Sequence, residues 1–155
     1  MSNLLTANLI TLLKTADLII TVGNELRSDD AVGPYIFKAL QTTNLKTKIL
    51  NAGEKPENII DKAIELKPNK VVIIDAADFG EKPGEARLIE QEHIPETTLS
   101  THMFPLKIIA KIIEEDTKAK VYFLGIQPKS MALGESISPE VKETAGEIIE
   151  YLVRK

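Results

Sequence analysis

The chain has 155 residues and 43% of them are hydrophobic, which suffices for one globular domain that buries roughly two-thirds of its unfolded surface. It contains no cysteine, which excludes disulfide bonds, thiolate metal sites and cysteine nucleophiles. The net charge is −4 without a basic run, so nucleic acid and anionic membranes are poor partners. Lys14 and Asp17 interrupt the N-terminal apolar clusters, and we expect an untargeted, cytoplasmic protein.

The first half of the chain alternates between helical and strand-like patterns. Apolar residues at helical spacing predict a helix over residues 3–14. Residues 18–22 are an unbroken apolar run that ends at Gly23, the pattern of a strand covered on both faces. A helix is then predicted over residues 30–42, with Pro34 tolerable only in its first turn. A strand over residues 47–50 and a helix over about 56–66 follow.

The second half continues the alternation without a repeat or a long linker, so we expect a single domain over residues 1–155. Strands are predicted at 70–78, at 84–92, which alternates like an edge strand, and at 120–127. Helices are predicted at 104–115 and 138–155, the latter with Ser138 as N-cap and Pro139 as first residue. Strands and helices alternating at these lengths predict a three-layer α/β/α sandwich with a twisted, mostly parallel sheet of about five strands.

Polar side chains follow several of the predicted strands. In open parallel sheets, ligands bind outside the carboxyl ends of the strands. This rule selects eight candidates: Asn24, Glu25, Asp29 and Asp30 after the first strand, Asp75 and Asp78 after the central strand, His102 in the loop after residues 84–92, and Gln127 after the last strand. Carboxylates and an imidazole on separate loops of one edge are a plausible oxygen and nitrogen site for a divalent metal.

Each candidate also has a purely structural interpretation. Asp29 or Asp30, taken singly, is more commonly a helix cap. Asp75 ends a very apolar strand, where an uncompensated carboxylate would be costly, although backbone N–H groups could satisfy it. His102 could bond a nearby carbonyl, and His93, among charged residues, is best interpreted as a solvated loop residue.

Several common catalytic and binding motifs are missing. Gly23 and Gly33 do not fit the G-x-G-x-x-G spacing, and no G-K-[ST] follows the first strand, so the usual phosphate-binding loops are absent. The motifs H-E-x-x-H and G-x-S-x-G are absent as well. Ser100 and His102 are close in sequence, but a serine hydrolase would also need a nucleophile elbow and an orienting acid.

Four motifs occur in a fixed order: "VGNELRSDDAVGP", "IIDAADFGEKPGEARLIE", "STHMFPL" and "FLGIQP". Together they resemble the maturation endopeptidases of [NiFe] hydrogenases. The nearest resemblance is to the subgroup that processes the large subunit of membrane-bound hydrogenases of the formate hydrogenlyase and energy-converting type. The resemblance spans about residues 18–150 and leaves residues 1–16 as an additional N-terminal helix.

The resemblance implies a twisted sheet flanked by helices and removal of a C-terminal extension from the large-subunit precursor after nickel insertion. By position, it implies metal contacts at Asp30, Asp75 and His102, with Asp30 and Asp75 as the catalytic residues. Asp29 would cap the helix while Asp30 faces the site. The remaining candidates would contact substrate: Asn24, Glu25, Asp29, Asp78 and Gln127. Nickel would arrive with the precursor, no tightly bound cofactor of the chain's own is expected, and we expect a monomer.

One departure from the family pattern lies in the first motif. The loop reads "ELRS", more charged than the small or apolar residues typical there, so Glu25 and Arg27 would affect how the precursor tail is received. Two other functions stay open at this point. The chain could be a docking protein that checks nickel without cutting, or a generic nucleotide-binding α/β domain, which the missing glycine fingerprint disfavours.

Overall fold

The computed structural model describes residues 5–90 and 103–155, without the side chains of residues 103–105. These residues form the helices α1 (Ala7–Thr15), α2 (Val32–Gln41), α3 (Ile60–Glu65), α4 (Met103–Asp116) and α5 (Pro139–Val153). Two 3₁₀ turns, Ser28–Ala31 and Pro56–Ile59, lead directly into α2 and α3. The strands are β1 (Leu18–Val22), β2 (Lys48–Gly53), β3 (Lys70–Ala76), β4 (Ala86–Ile89) and β5 (Lys120–Ile126).

Strands β1 to β5 form one sheet in the order β2-β1-β3-β5-β4. The neighbours β2 and β1, β1 and β3, and β3 and β5 are parallel, whereas β4 pairs antiparallel with β5 at the edge. Parallel strands need crossover connections, which the helices supply. The predicted mostly parallel sheet is confirmed. Of the edge strand predicted over residues 84–92, the structure shows β4 (Ala86–Ile89), and residues 91 and 92 lie outside the described residues.

The sheet has a hydrophobic core on each face. Successive strand residues point to opposite faces, so Val72 and Ile74 of β3 pack with α1, α2 and α5, while Val71 and Ile73 pack with α3 and α4. Both sets are buried. This explains why the central strands are continuous apolar runs, and it confirms the three-layer α/β/α sandwich.

The element bounds differ from the predictions at the helix starts and at the ends of β2 and β3. The predicted bounds of β1 are confirmed. The helix predicted over residues 30–42 is divided into the 3₁₀ turn Ser28–Ala31 and α2, with Pro34 in the first turn of α2. The helix predicted from residue 56 begins likewise with a 3₁₀ turn. The described part of the chain contains no helix that is long and apolar enough to cross a bilayer.

Candidate active site

Strands β1 and β3 lie side by side where the connections change direction. From β1 the chain passes through α2 to β2, and from β2 it returns through α3 to β3 on the other side of β1. Helix α2 packs on one face of the sheet and α3 on the other. In such α/β sheets, ligands bind at the carboxyl ends of the strands where the topology switches. A site is therefore expected at the ends of β1 and β3.

The chain turns sharply as it leaves β1, because two glycines permit very close contacts. Gly23 has a φ of 147°, and a Cβ there would lie 1.9 Å from the carbonyl oxygen of Asp30. A Cβ on Gly33 would lie 2.2 Å from the carbonyl oxygen of Val22. The 3₁₀ turn and the start of α2 thus pack directly on the end of β1, and this places Asp30 at the strand's carboxyl end.

Asp30 is buried at this bend, with 3% of its surface exposed. Its Oδ2 accepts a hydrogen bond of 2.9 Å from the backbone N–H of Asn24. Neither the 3₁₀ turn nor α2 has a side-chain cap. The capping interpretation of Asp30 is therefore wrong, since its carboxylate bonds back across the loop.

Asp75 lies one residue before the end of β3 and is 2% exposed. The register between β1 and β3 pairs Thr21 with Ile74, so Asp75 is level with the last residue of β1. The 3₁₀ turn that carries Asp30 also contacts β3. The structure therefore brings the two predicted catalytic carboxylates to the same edge of the sheet, on neighbouring elements.

The layer of α3 and α4 faces Asp75. Val71 and Ile73 pack in this layer, and Asp75 follows at the same spacing of two residues. Helix α4 contacts the 3₁₀ turn that follows the carboxyl end of β2. His102 immediately precedes α4 but lies outside the described residues, as does His93. Within residues 5–90 and 103–155, no group of three His, Cys, Asp or Glu side chains could hold a metal.

Asp29 is fully buried and bonds to a distant part of the chain. Its Oδ2 accepts the backbone N–H groups of Lys129 at 2.7 Å and Ser130 at 3.1 Å. Its Oδ1 accepts the N–H of Ser138 at 2.7 Å, and the Ser138 hydroxyl lies 2.9 Å from both carboxylate oxygens. The prediction that Asp29 caps α2 is therefore wrong, because its carboxylate ties loop 128–138 to the 3₁₀ turn.

Ser138 occupies the predicted N-cap position of α5, and Pro139 is the first residue of that helix. The hydroxyl of Ser138 makes no capping hydrogen bond to α5, because it donates to Asp29. The helix start was thus predicted correctly, but the bond that the serine makes there was not.

Gln127 and Asp78 bond to each other at the same edge. The Nε2 of Gln127 donates to Asp78 Oδ1 at 3.0 Å, and its Oε1 accepts the N–H groups of Phe79 at 2.9 Å and Glu81 at 3.2 Å. The hydrogen bond from Gln127 and then that from the N–H of Gly80 lower the pKa of the exposed Asp78 carboxyl. In this arrangement the Gln127 side chain organises the loop after β3.

An open groove of about 360 Å³ lies over the carboxyl ends of β1 and β2, and Asn24, Glu25, Asn51 and Glu54 contribute to its lining. The Nδ2 of Asn24 donates to Glu54 Oε1 at 2.9 Å. Glu25 forms an exposed ion pair with Lys38 at 3.4 Å. Two of the residues predicted to contact substrate, Asn24 and Glu25, therefore line a groove beside Asp30.

Asn51 and Glu54 were missed by the sequence reasoning. Asn51 Oδ1 accepts hydrogen bonds from the Thr21 hydroxyl at 3.0 Å and from the N–H of Gly53 at 3.2 Å, so it fixes the ends of β1 and β2 together. The rule that selected residues after β1 and β3 applies to β2 as well. The predicted strand ends at residue 50, whereas β2 ends at Gly53, so the prediction did not place Asn51 and Glu54 at a strand end.

Comparison with known proteins identifies the family. The family model described as hydrogenase maturation protease, HycI, matches residues 34–155. The chain belongs to the hydrogenase maturation protease family. The match includes Asp75 and position 102, and it begins four residues after Asp30. Family membership makes this chain a peptidase and removes the support for a generic nucleotide-binding domain.

Individual relatives agree with this assignment. The hydrogenase 3 maturation protease of Escherichia coli is 32% identical over 138 residues, which cover 88% of each chain. The crystal structure of the [NiFe] hydrogenase maturation protease HycI from Thermococcus kodakarensis superposes with a TM-score of 0.83 at 32% identity, covering 96% of this chain and 97% of that one. The solution structure of the endopeptidase HycI from Escherichia coli gives a TM-score of 0.81 at 30% identity, covering 90% of each.

Proposed function

We propose that this hydrogenase maturation protease removes the C-terminal extension of the large-subunit precursor of a [NiFe] hydrogenase after nickel has been inserted. The observation that carries the proposal is the burial of Asp30 and Asp75 at one edge of the sheet, at its topological switch point. The similarity to the hydrogenase 3 maturation protease supports a hydrogenase of the formate hydrogenlyase type as the substrate.

In this proposal nickel is part of the substrate. The precursor's own cysteines hold the ion, and Asp30, Asp75 and His102 contact it from the protease side. Carboxylate oxygens and an imidazole nitrogen suit borderline divalent ions such as nickel. Only a precursor that carries the metal would then place its tail correctly, and the protease needs no tightly bound cofactor of its own.

Hydrolysis of the tail requires a polarised carbonyl, an activated water molecule and a proton for the departing amine. Two routes would activate the water. In one, the substrate's metal polarises the carbonyl or the water. In the other, Asp30 or Asp75 takes the proton from the water as general base. In both, the carboxyl group that has taken up the water's proton gives it to the departing amine. Both routes need the two carboxylates to lie beside the scissile bond, which is the position that we assign to them.

The other candidate residues divide into two roles. Asn24 and Glu25 line the groove beside Asp30, and we assign them direct contact with the precursor tail. Asp29, Asp78 and Gln127 are engaged in the hydrogen bonds of the edge loops. We assign these three residues to shaping the surface that receives the tail.

A cleavage assay tests the proposal. The purified protein is mixed with the nickel-loaded precursor or its nickel-free form, and intact mass is followed. Loss of a C-terminal peptide from the loaded form alone is the expected result. Cleavage of both forms would keep the protease but contradict the nickel checkpoint. Binding without a change in mass would favour the docking protein that checks nickel without cutting.

One substitution tests whether the activity depends on the Asp75 carboxylate. Asp75→Asn keeps the size of the side chain but removes its charge, so we expect processing to be abolished while far-UV circular dichroism shows an intact fold. Asp61→Asn is the matched control, because Asp61 is exposed on α3, and it should process normally. An active Asp75→Asn protein would contradict the assignment of Asp75.

Two further parts of the proposal concern the state of the protein in the cell. We propose that it acts as a monomer, as the resemblance to its family implies, and in the cytoplasm, as expected from the sequence. Light scattering after size-exclusion chromatography tests the first part, with a mass near 17.1 kDa expected. Fractionation of the producing cells tests the second.

A further inference from the structure

Two loops next to the candidate active site expose leucine side chains. Leu26, in the loop after β1, is 67% exposed, and Leu133, in loop 128–138, is 66% exposed. Ala132 beside it is also exposed. The N–H of Gly134 donates to the carbonyl of Leu26 at 2.8 Å, so the two leucines lie on adjoining backbone. We refer to Leu26, Ala132 and Leu133 as the leucine platform.

The backbone beneath this platform is held by many hydrogen bonds. The Asp29 carboxylate bonds both ends of loop 128–138. The N–H of Ser28 donates to the carbonyl of Glu135 at 3.0 Å, and its hydroxyl donates to the carbonyl of Ser136 at 2.9 Å. The N–H of Leu26 donates to Asn24 Oδ1 at 2.8 Å. The leucines are therefore presented by backbone that the rest of the chain fixes in place.

The other large apolar side chains of loop 128–138 are partly buried, unlike that of Leu133. Met131 and Ile137 pack against the core on the α2 and α5 face, whereas Leu133 between them points away from it. Single exposed apolar residues are common on protein surfaces. Here the two exposed leucines lie on adjoining backbone segments, and Glu25, Arg27 and Glu135 expose charges next to them in the sequence. An apolar centre with a charged rim is the usual composition of a protein interface.

We infer that the leucine platform is a docking surface for an apolar patch on the folded large-subunit precursor; this inference rests on the proposed function. The position of the platform indicates which protein binds there. Leu26 is two residues from Asn24, whose N–H bonds the Asp30 carboxylate. A folded substrate that brings its tail to Asp30 covers the adjoining loops as well. Because hydrogen bonds already hold the backbone of the platform, docking on it need not order that backbone.

The double variant Leu26→Ser/Leu133→Ser tests the inference. Val153→Ser is its control, because Val153 is 45% exposed but ends α5, about 20 Å along the helix from Ser138. Cleavage of the nickel-loaded precursor is followed by intact mass over a range of precursor concentrations. We expect the double variant to raise KM about tenfold or more, as for loss of interface anchor residues, and to leave kcat unchanged. Thermal unfolding confirms that each variant is folded.

Equal KM values in the double variant and in Val153→Ser would overturn the inference, and so would a fall in kcat alone. If the unaltered protein does not cleave the precursor, the proposed function fails, and the platform is then judged by binding. In that case, the dissociation constant for the same precursor is measured by biolayer interferometry. Weaker binding by the double variant alone would support the platform, whereas equal binding, or no binding by any form, would overturn it.

Discussion

Asp29 and Asp30 are adjacent in sequence and both are buried. The residues that donate hydrogen bonds to their carboxylates, however, lie on opposite sides of them in the sequence. Asp30 accepts a hydrogen bond from Asn24, six residues earlier. Asp29 accepts hydrogen bonds from residues about a hundred positions later. The tight 3₁₀ turn separates two neighbouring side chains in this way. One aspartate therefore stabilises the loops, while the other lies at the candidate site.

Replacing Asp29 by Asn should destabilise the protein strongly. The amide keeps one acceptor oxygen and replaces the other by a donor, which then faces backbone N–H groups that have lost their partner. Buried polar groups left unpaired cost about 1 to 3 kcal/mol each, so we expect a loss of about 3 kcal/mol in the free energy of unfolding, measured by urea denaturation. Ser138→Ala removes only the hydroxyl donor and should cost about 1 kcal/mol. Equal losses in both variants would contradict this account.

The pKa of Asp78 should depend on Gln127. The hydrogen bond from the Gln127 amide is the largest cause of the lowered pKa, so Gln127→Leu should raise the pKa of Asp78 towards its ordinary value. Because the pKa is lower in the folded protein, ionised Asp78 stabilises the fold above the ordinary aspartate pKa, and this contribution is lost as the pH falls through the lowered value. Carboxyl-detected NMR titration measures the shift.

Glu140 is an internal control for that titration. Its own N–H and Lys129 lower its pKa, and neither contact involves Gln127. The Glu140 midpoint should therefore stay the same in Gln127→Leu. If the Asp78 midpoint stays the same as well, the Gln127 hydrogen bond is not the cause of the lowered pKa.

At the level of elements, the strands could be predicted from sequence and the helix starts only in part. Strand β1 is buried on both faces, so its apolar run ends where the strand ends. The start of α2 could not be predicted in the same way, because close packing against Val22, permitted by Gly33, favours a 3₁₀ turn before the helix. No local pattern encodes a contact of that kind.

The candidate site could likewise be predicted only in part. The rule for the carboxyl ends of parallel strands selected Asp30 and Asp75 from the sequence, and the structure brings both to one edge. The hydrogen bonds of Asp29 and Gln127 join segments about 50 to 100 residues apart. Local spacing carries no information about such bonds, so their structural roles were not foreseen.

Gly33→Ala tests the close contact between α2 and β1. The new Cβ would meet the Val22 carbonyl oxygen at 2.2 Å and the Val22 nitrogen at 2.8 Å, and neither backbone atom can move without displacing the strand. We expect a loss of about 3 kcal/mol or more in the free energy of unfolding. Gly146→Ala in α5 is the control, because nothing lies within 4 Å of the added Cβ. That variant should gain about 0.5 to 1 kcal/mol, and a loss of similar size in both would contradict the steric explanation.

At the scale of the whole molecule, the residues that stabilise the fold lie apart from the residues of the candidate site. The two cores lie on the faces of the sheet and consist of aliphatic and aromatic side chains. Asp30 and Asp75, together with the groove and the leucine platform, lie at or beside the carboxyl edge. A protease built in this way needs only the loops of one edge to contact its substrate. Under the proposed function, the metal arrives at this edge with the substrate.

This arrangement makes a prediction about binding that does not depend on cleavage. If Asp30 and Asp75 contact the precursor's nickel, the loaded precursor should bind more tightly than the nickel-free form, by about tenfold or 1.4 kcal/mol. Asp75→Asn offers a neutral amide where a charged oxygen would meet the metal, so the ratio of the two dissociation constants should fall towards one. Both dissociation constants are measured by stopped-flow mixing, before cleavage of the loaded precursor proceeds. Asp61→Asn should preserve the ratio found for the unaltered protein. If the ratio in Asp75→Asn equals that of the unaltered protein, contact between Asp75 and the ion does not distinguish the two forms of the precursor. The protease would then distinguish the loaded precursor by its shape, through loops such as those of the leucine platform.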